Sequence, residues 1–190
     1  VAVASGTAVQ MNGIADHPGI ILIRSSTSAN SGYRWYTDPL SIAIGGGEIW
    51  EGVFYVNLST NTIHRFGFCD TTNQNDCTDG VYFELPAGSL NLVGKTAQGG
   101  TRTTSATIYA ISLQTWYLGR IEVNPSRTSV QFTLYNMAGT ALGTQAVAIN
   151  IPGAGQYTGN MVISTNSGTA AQGLMWWDYI ATTNSKVLTR

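Results

Sequence analysis

Two kinds of side chain in this sequence could act on a ligand. The first are carboxylates and arginines inside strand-like runs, namely Glu48, Glu51, Arg65, Glu84, Arg120, Glu122 and Asp178. Only 10% of the chain is charged, so placing that many charges within sheets calls for a reason. The second are Trp35, Trp50, Trp116, Trp176 and Trp177 beside them. Aromatic faces stack on sugar rings, while carboxylates, guanidiniums and amides hydrogen-bond hydroxyls. On a concave sheet, such residues would form a carbohydrate floor. Trp50, Glu51, Arg65, Glu84, Arg120 and Trp176 are the ligand-contacting set this reading nominates. The plainer reading is that Arg65–Glu84 and Arg120–Glu122 satisfy one another on a sheet face and the aromatics are core.

Hydrolysis of a glycosidic bond needs two carboxyl groups roughly 5–10 Å apart. Glu48 and Glu51 are oddly spaced along one run, which sends them to opposite faces of a strand. Glu51 could pair with Glu84, Glu122 or Asp178 from other strands. A nucleophilic serine has little support. The sequence contains no Gly-x-Ser-x-Gly. His17 sits in a loop-like Asp16-His17-Pro18, and His64 lies within a strand run. No catalytic residue is nominated.

The segment Asp70 to Asp79 reads Asp-Thr-Thr-Asn-Gln-Asn-Asp-Cys-Thr-Asp. Asp70, Asp76 and Asp79, with the two Asn side chains, could offer oxygen ligands to calcium, the one cofactor considered. The spacing is not that of an EF-hand, and Asx-rich loops are commonly turns. Cys69 and Cys77 fit a short disulfide loop in an oxidising compartment, or two free thiols in a reducing one. The two histidines have no spacing that completes a zinc site.

The elements that must position these groups are strands. β-Branched and aromatic runs recur between Gly, Asn, Pro and Asp clusters, and no helical period persists. The runs are Gly19 to Ser25, Gly47 to Asn57, Thr62 to Cys69, Gly80 to Leu85, Thr103 to Ser112, Trp116 to Asn124, Ser129 to Met137, Ala146 to Ile151, Asn160 to Thr165 and Leu174 to Thr182. Many short strands without crossover helices predict an all-β, two-sheet antiparallel β-sandwich of jelly-roll type. Alternation within runs assigns faces: Trp116, Leu118, Arg120 and Glu122 share one, while Tyr117, Ile121 and Val123 share the other. The final run reads the same way, with Trp176, Asp178 and Ile180 opposite Met175, Trp177 and Tyr179.

The length of 190 residues suits one domain over residues 1–190, and no linker divides it. A net charge of −1, with basic residues scattered singly, excludes a nucleic-acid footprint. No apolar run approaches the ~18 residues of a membrane span. The chain starts at Val1, as a processed or excised piece or one with reset numbering would, and has no recognisable signal peptide.

The order of several segments resembles concanavalin A-like jelly-roll domains of phage virion proteins. These are Phe66-Gly67-Phe68-Cys69-Asp70, a polar loop, and Asp79-Gly80-Val81-Tyr82-Phe83-Glu84. A Thr-rich strand from Thr101 to Thr107 and Trp116-Tyr117-Leu118-Gly119-Arg120-Ile121-Glu122-Val123-Asn124 come next. Val130 to Leu134, Asn150-Ile151-Pro152 and Trp177-Asp178-Tyr179 complete the order. The similarity covers roughly Gly47 to Thr182. It implies a lectin- or glucanase-type jelly roll on a tail fibre, receptor-binding protein, head fibre or capsid decoration protein. Such a domain would lie at the virion surface as a homo-oligomer, commonly a trimer, with other virion proteins or a host surface glycan as partner. A secreted carbohydrate-binding module or a glycoside hydrolase or lyase of the same fold is the alternative. The glucanase branch carries a Glu-x-Asp-x-x-Glu-like strand that has no match here, so the resemblance does not imply catalysis.

Overall fold

A computed structural model of the chain describes residues 7–10, 17, 19–25, 27–38, 41–58, 60–71, 75–168 and 172–184. Among these residues every regular element is a strand. They are β1 (Thr7–Gln10), β2 (Ile21–Arg24), β3 (Gly32–Tyr36), β4 (Ile42–Ala43), β5 (Glu48–Leu58), β6 (Thr62–Cys69) and β7 (Gly80–Leu85). Then follow β8 (Asn91–Gln98), β9 (Thr101–Ala110), β10 (Trp116–Val123), β11 (Val130–Asn136), β12 (Ala141–Val147), β13 (Tyr157–Asn166) and β14 (Leu174–Asn184). The first sheet runs β1-β2-β14-β5-β10-β11-β12, and the second runs β3-β13-β6-β7-β8-β9 with β4 beside β13. All pairings are antiparallel, so the chain is a two-sheet jelly-roll sandwich.

The alternation of apolar and polar residues builds this arrangement. Trp50, Phe54 and Val56 on β5, Tyr117, Ile121 and Val123 on β10, and Phe132 on β11 point inward from the first sheet. Phe66 and Phe68 on β6 and Val81, Phe83 and Leu85 on β7 meet them from the second. Burying an aromatic side chain of this kind contributes about 1.5–3 kcal/mol, which makes the inter-sheet layer the main stabilising element. Two glycines make room for its rings. A Cβ on Gly52 would lie 2.5 Å from the Trp50 ring and 2.8 Å from that of Trp177. A Cβ on Gly94 would lie 2.4 Å from Phe132.

Some boundaries differ from those read in the sequence. Strand β12 covers Ala141–Val147, not Ala146 to Ile151. Asn150 adopts a left-handed backbone (φ 53°), which ends the extended run. Strands β3 and β8 lie in segments where no run was read. In β14 a register shift between Trp177 and Tyr179 inserts Asp178 as an extra residue. Beyond it Ile180 packs on the core while Tyr179 is exposed, the reverse of simple alternation.

Candidate functional site

Charged side chains collect on the outward side of each sheet, in two different environments. On the second sheet, the residues that alternate with the core set are Arg65 on β6, Tyr82 and Glu84 on β7, and Lys95 on β8. Arg65 Nε donates to Glu84 Oε2 at 2.7 Å, and Lys95 Nζ lies 2.8 Å from Glu84 Oε1. The connection from β6 to β7 folds back over this side. A Cys69–Cys77 disulfide closes it (Cα–Cα 5.6 Å), and both cysteines are buried with Tyr82, Ala97, Met161 and Ile163 in a second apolar cluster. The loop carries Asp76 onto the charged residues. Its Oδ1 is 3.2 Å from Arg65 Nε and accepts the Tyr82 hydroxyl at 2.5 Å. Its Oδ2 is 3.2 Å from Arg102 Nε and 3.5 Å from Lys95 Nζ.

This geometry sets the protonation of the cluster. Burial pushes the Asp76 carboxyl up, but Arg65, the Tyr82 hydroxyl, Lys95 and Arg102 together hold it below the usual carboxylate range. Tyr82 is pushed far up, first by burial and then by the Asp76 carboxylate it donates to. A glycosidase acid must hold its proton near neutrality, and Asp76 is driven the other way. Each acid here is held by at least two cations.

The outward side of the first sheet is arranged in rows by strand register. Leu22, Trp176, Tyr55 and Trp116 form one row across β2, β14, β5 and β10. The Tyr55 and Trp176 rings stack at 4.8 Å, Tyr55 and Trp116 lie tilted at 5.2 Å, and His17 stacks on Trp116 at 4.1 Å. His17 Nδ1 is also 2.9 Å from Asp178 Oδ2. The next row is Tyr179, Val53, Leu118 and Tyr135, and the third is Ala181, Glu51, Arg120 and Thr133. In the third row Arg120 Nη1 is 3.2 Å from Glu51, and Nη2 donates to Glu122 at 2.9 Å. These three side chains are 27–36% exposed. Tyr179 donates weakly to Glu51 (3.4 Å), and burial followed by that carboxylate raises the Tyr179 pKa. A pocket of about 220 Å³ adjoins the row, lined by Ile49, Glu122, Pro125, Ser129 and Gln131 among others.

The six nominated residues therefore fall in three places. Glu51, Arg120 and Trp176 share the outward side of the first sheet. Arg65 and Glu84 pair on the second, as the plainer reading held. Trp50 belongs to neither: it is 0% exposed in the inter-sheet core against Phe66, Phe83 and Trp177, so it cannot touch a ligand. The stacked row also changes what the aromatics offer. Tyr55 covers one face of Trp176, and His17 covers one face of Trp116. Glu48 and Glu51 do face opposite ways, and Glu48 is buried, accepting the N–H groups of Gly45 and Gly46.

The three carboxylates nominated for calcium are each engaged elsewhere in the loop. Asp70 Oδ1 accepts the Thr78 N–H, Asp79 Oδ1 accepts the Gly99 N–H, and Asp76 is surrounded by cations. No group of three metal-ligating side chains converges among the described residues. Residues 72–74 of the segment lie outside the described residues. Lys95, Arg102 and Tyr82 were missed in the sequence. Only the register of β6 to β9 brings them to Asp76.

No curated protein sequence matches the chain. The fold is similar to the protein of unknown function SO2946 from Shewanella oneidensis MR-1, with TM-score 0.71 and 20% identity over 97% of this chain and 80% of that one. A prokaryotic β-1,3-1,4-glucanase (lichenase) from a mouse hindgut metagenome has TM-score 0.61 and 12% identity, covering 96% of this chain and 91% of its own. Rv0315 of Mycobacterium tuberculosis, described as a pseudo β-1,3-glucanase, has TM-score 0.58 and 14% identity, covering 88% and 75%. At these identities the likeness concerns fold alone, and it includes both a glucanase and a pseudo-glucanase. A family model, "SO2946-like, C-terminal domain", matches residues 16–178, so the chain belongs to the SO2946-like C-terminal domain family.

Proposed function

We propose that this domain is a non-enzymatic recognition module of a virion surface protein, of fibre, receptor-binding or decoration type, and that the first sheet's outward side binds a host surface glycan. The observation that carries the reading is the Glu51–Arg120–Glu122 cluster. It sets a guanidinium between two carboxylates on rigid neighbouring strands, partly exposed and beside the 220 Å³ pocket. Alternating planar donors and acceptors at that spacing suit neighbouring sugar hydroxyls. The row of Trp176, Tyr55 and Trp116 supplies an apolar border. Against catalysis stands the pairing of acids with cations: Glu84 and Asp76 are held by Arg65, Lys95 and Arg102, and Glu51 and Glu122 by Arg120. The virion placement and a trimeric state rest on the resemblance of the segment order to that of phage jelly rolls.

A second reading has its own support. Trp, Tyr and Arg are the residues enriched at protein interfaces, and a row of packed aromatic rings on the outward side of a sheet suits docking to another virion subunit. A glycan-array screen of the purified domain, run beside a reducing-sugar release assay on β-glucans, tests the proposal. Array signal that falls on Arg120→Ala, with no sugar released, supports it. Sugar release that disappears with loss of one carboxylate would make the domain a hydrolase, and silence in both assays would favour docking.

A further inference from the structure

Beyond the Glu51–Arg120 pair, strand register sets a fourth row on the outward side of the first sheet. Thr183, Ile49, Glu122, Gln131 and Ala146 follow one another across β14, β5, β10, β11 and β12. The middle three line the pocket of about 220 Å³, and the turn between β10 and β11 walls it with Asn124, Pro125 and Ser129. That turn is held by its own side chain. Asn124 Oδ1 accepts the Thr128 and Ser129 N–H groups at 2.7 and 3.1 Å. Its Nδ2 donates to Thr128 Oγ1 at 2.8 Å and to Ser126 Oγ at 3.1 Å. The Asn124 amide is thereby spent inside the turn, and the pocket wall stands before a ligand arrives.

Glu122, Gln131 and Ser129 are left to meet a ligand. Arg120 engages Glu122 Oε1, while Oε2 has no partner among the described residues, and the Glu122 side chain is 36% exposed. Gln131 is exposed, and its amide has no partner among the described residues. The two are direct cross-strand neighbours, which puts their Cβ atoms about 5 Å apart. Glu122 only accepts hydrogen bonds, whereas the Gln131 amide also donates. Ile49 beside Glu122, and Pro125 on the turn, give the pocket an apolar side.

Charge and size narrow the ligand. Two acids share one cation, so the Glu51–Arg120–Glu122 cluster is negative as a whole and disfavours an acidic sugar. The volume falls short of the roughly 300–1,000 Å³ that encloses a drug-sized ligand, so the pocket suits one group projecting from a chain lying along the sheet. No aromatic ring lines it among the described residues, so a sugar ring has nothing to stack on there. A flat group with an N–H, a carbonyl and a methyl matches every part of the lining. The carboxylate takes the N–H, the Gln131 amide donates to the carbonyl, and Ile49 and Pro125 cover the methyl.

We propose that this pocket is the subsite for the acetamido group of an N-acetylhexosamine, with Glu122, Gln131 and Ile49 setting the preference. The assignment rests on the first sheet being the glycan surface proposed above.

The test is calorimetric titration with triacetylchitotriose, its de-N-acetylated form and cellotriose, which share one linkage and differ only in the substituent on one ring carbon. The expected result is about ten-fold tighter binding of the N-acetylated trisaccharide than of cellotriose, as one hydrogen bond to a charged acceptor would give. Gln131→Leu and Ile49→Thr, each checked for folding by circular dichroism, are expected to narrow that gap and leave cellotriose binding unchanged. Gln131 is exposed, and Ile49→Thr keeps a β-branched side chain, so both changes suit their strands. Tightest binding of the de-N-acetylated form would replace the acetamido group with an ammonium and overturn the proposal. A preference that survives both substitutions would overturn it by placing the acetamido group elsewhere. Equal binding of triacetylchitotriose and cellotriose, lost with Arg120→Ala, would sink this inference while leaving the proposed function standing. Silence with all three trisaccharides would do the same if the array identifies another glycan, and would sink both if the array is silent too.

Discussion

On the second sheet, Arg65, Glu84 and Lys95 lie under a disulfide-bonded loop with side chains 8–14% exposed, and a carboxylate from that loop joins them. On the first, Glu51, Arg120 and Glu122 have the same chemistry in the same kind of cross-strand arrangement, but nothing among the described residues buries them to that degree. Burial decides what such a cluster is for. Charges removed from water must be compensated locally, and losing one partner leaves the others stranded. Charges left partly in water contribute little to stability and remain able to change partners. The first arrangement secures a loop, and the second is the one for which a ligand is proposed.

The sharpest way to break this comparison is to delete one acid from each side. Glu84→Gln removes the more buried of the two carboxylates that Arg65 and Lys95 share, leaving only Asp76 between them, and is expected to cost about 3 kcal/mol in urea unfolding, as for broken buried pairs. Glu122→Gln on the first sheet is expected to cost within about 0.5 kcal/mol in the same experiment while lowering glycan signal. Equal costs would erase the distinction. Between these extremes lies the loop closure. Replacing Cys69 and Cys77 together by alanine is expected to cost about 2.5 kcal/mol from the chain entropy of a short loop, read from the shift in urea midpoint.

The pH dependence sharpens the same contrast. The folded Asp76 carboxyl lies below its ordinary value, so its stabilising contribution is present above about pH 4 and is lost as pH falls through the folded value. Tyr82 is shifted upward, so its contribution is present below about pH 10 and is lost as pH rises beyond that. Melting temperatures measured from pH 6 down to 2.5 are expected to fall more steeply for wild type than for Asp76→Asn. Parallel curves would mean that the cations do not hold Asp76 as described. The smallest effect is expected for Trp176→Ala: a reduced glycan signal with the domain still folded by circular dichroism.

Much of the sandwich was legible in the sequence. Thr62–Cys69 and Gly80–Leu85 are strands within the boundaries read from their β-branched and aromatic content, and the alternation of Trp116–Val123 holds residue by residue. Strand β8 was not legible, because Gly94 and Ala97 dilute its apolar pattern. Gly94 is there to admit the Phe132 ring, a tertiary requirement that no local pattern announces. The site was only half legible. Adjacent residues on a strand face opposite ways, so Trp50 and Glu51 could not have shared a ligand, and parity alone separates them. Which sheet holds Arg65 and which holds Arg120 depends on strand order, which pairs β10 with β5 and β7 with β6. The left-over Asp178 in β14 was invisible to an alternating pattern because a bulge resets the count.

The central claim is that the partly exposed side of the first sheet is the recognition surface. It is tested most directly by titrating the ¹⁵N-labelled domain with a neutral glycan identified on the array and mapping the chemical-shift changes. The expected result is a contiguous set of shifts on β5, β10 and β14 around Glu51, Arg120, Glu122 and the Trp176 indole, with Lys95 and Tyr82 unmoved. Shifts confined to β6 to β9, or binding that survives Arg120→Ala unchanged, would contradict it.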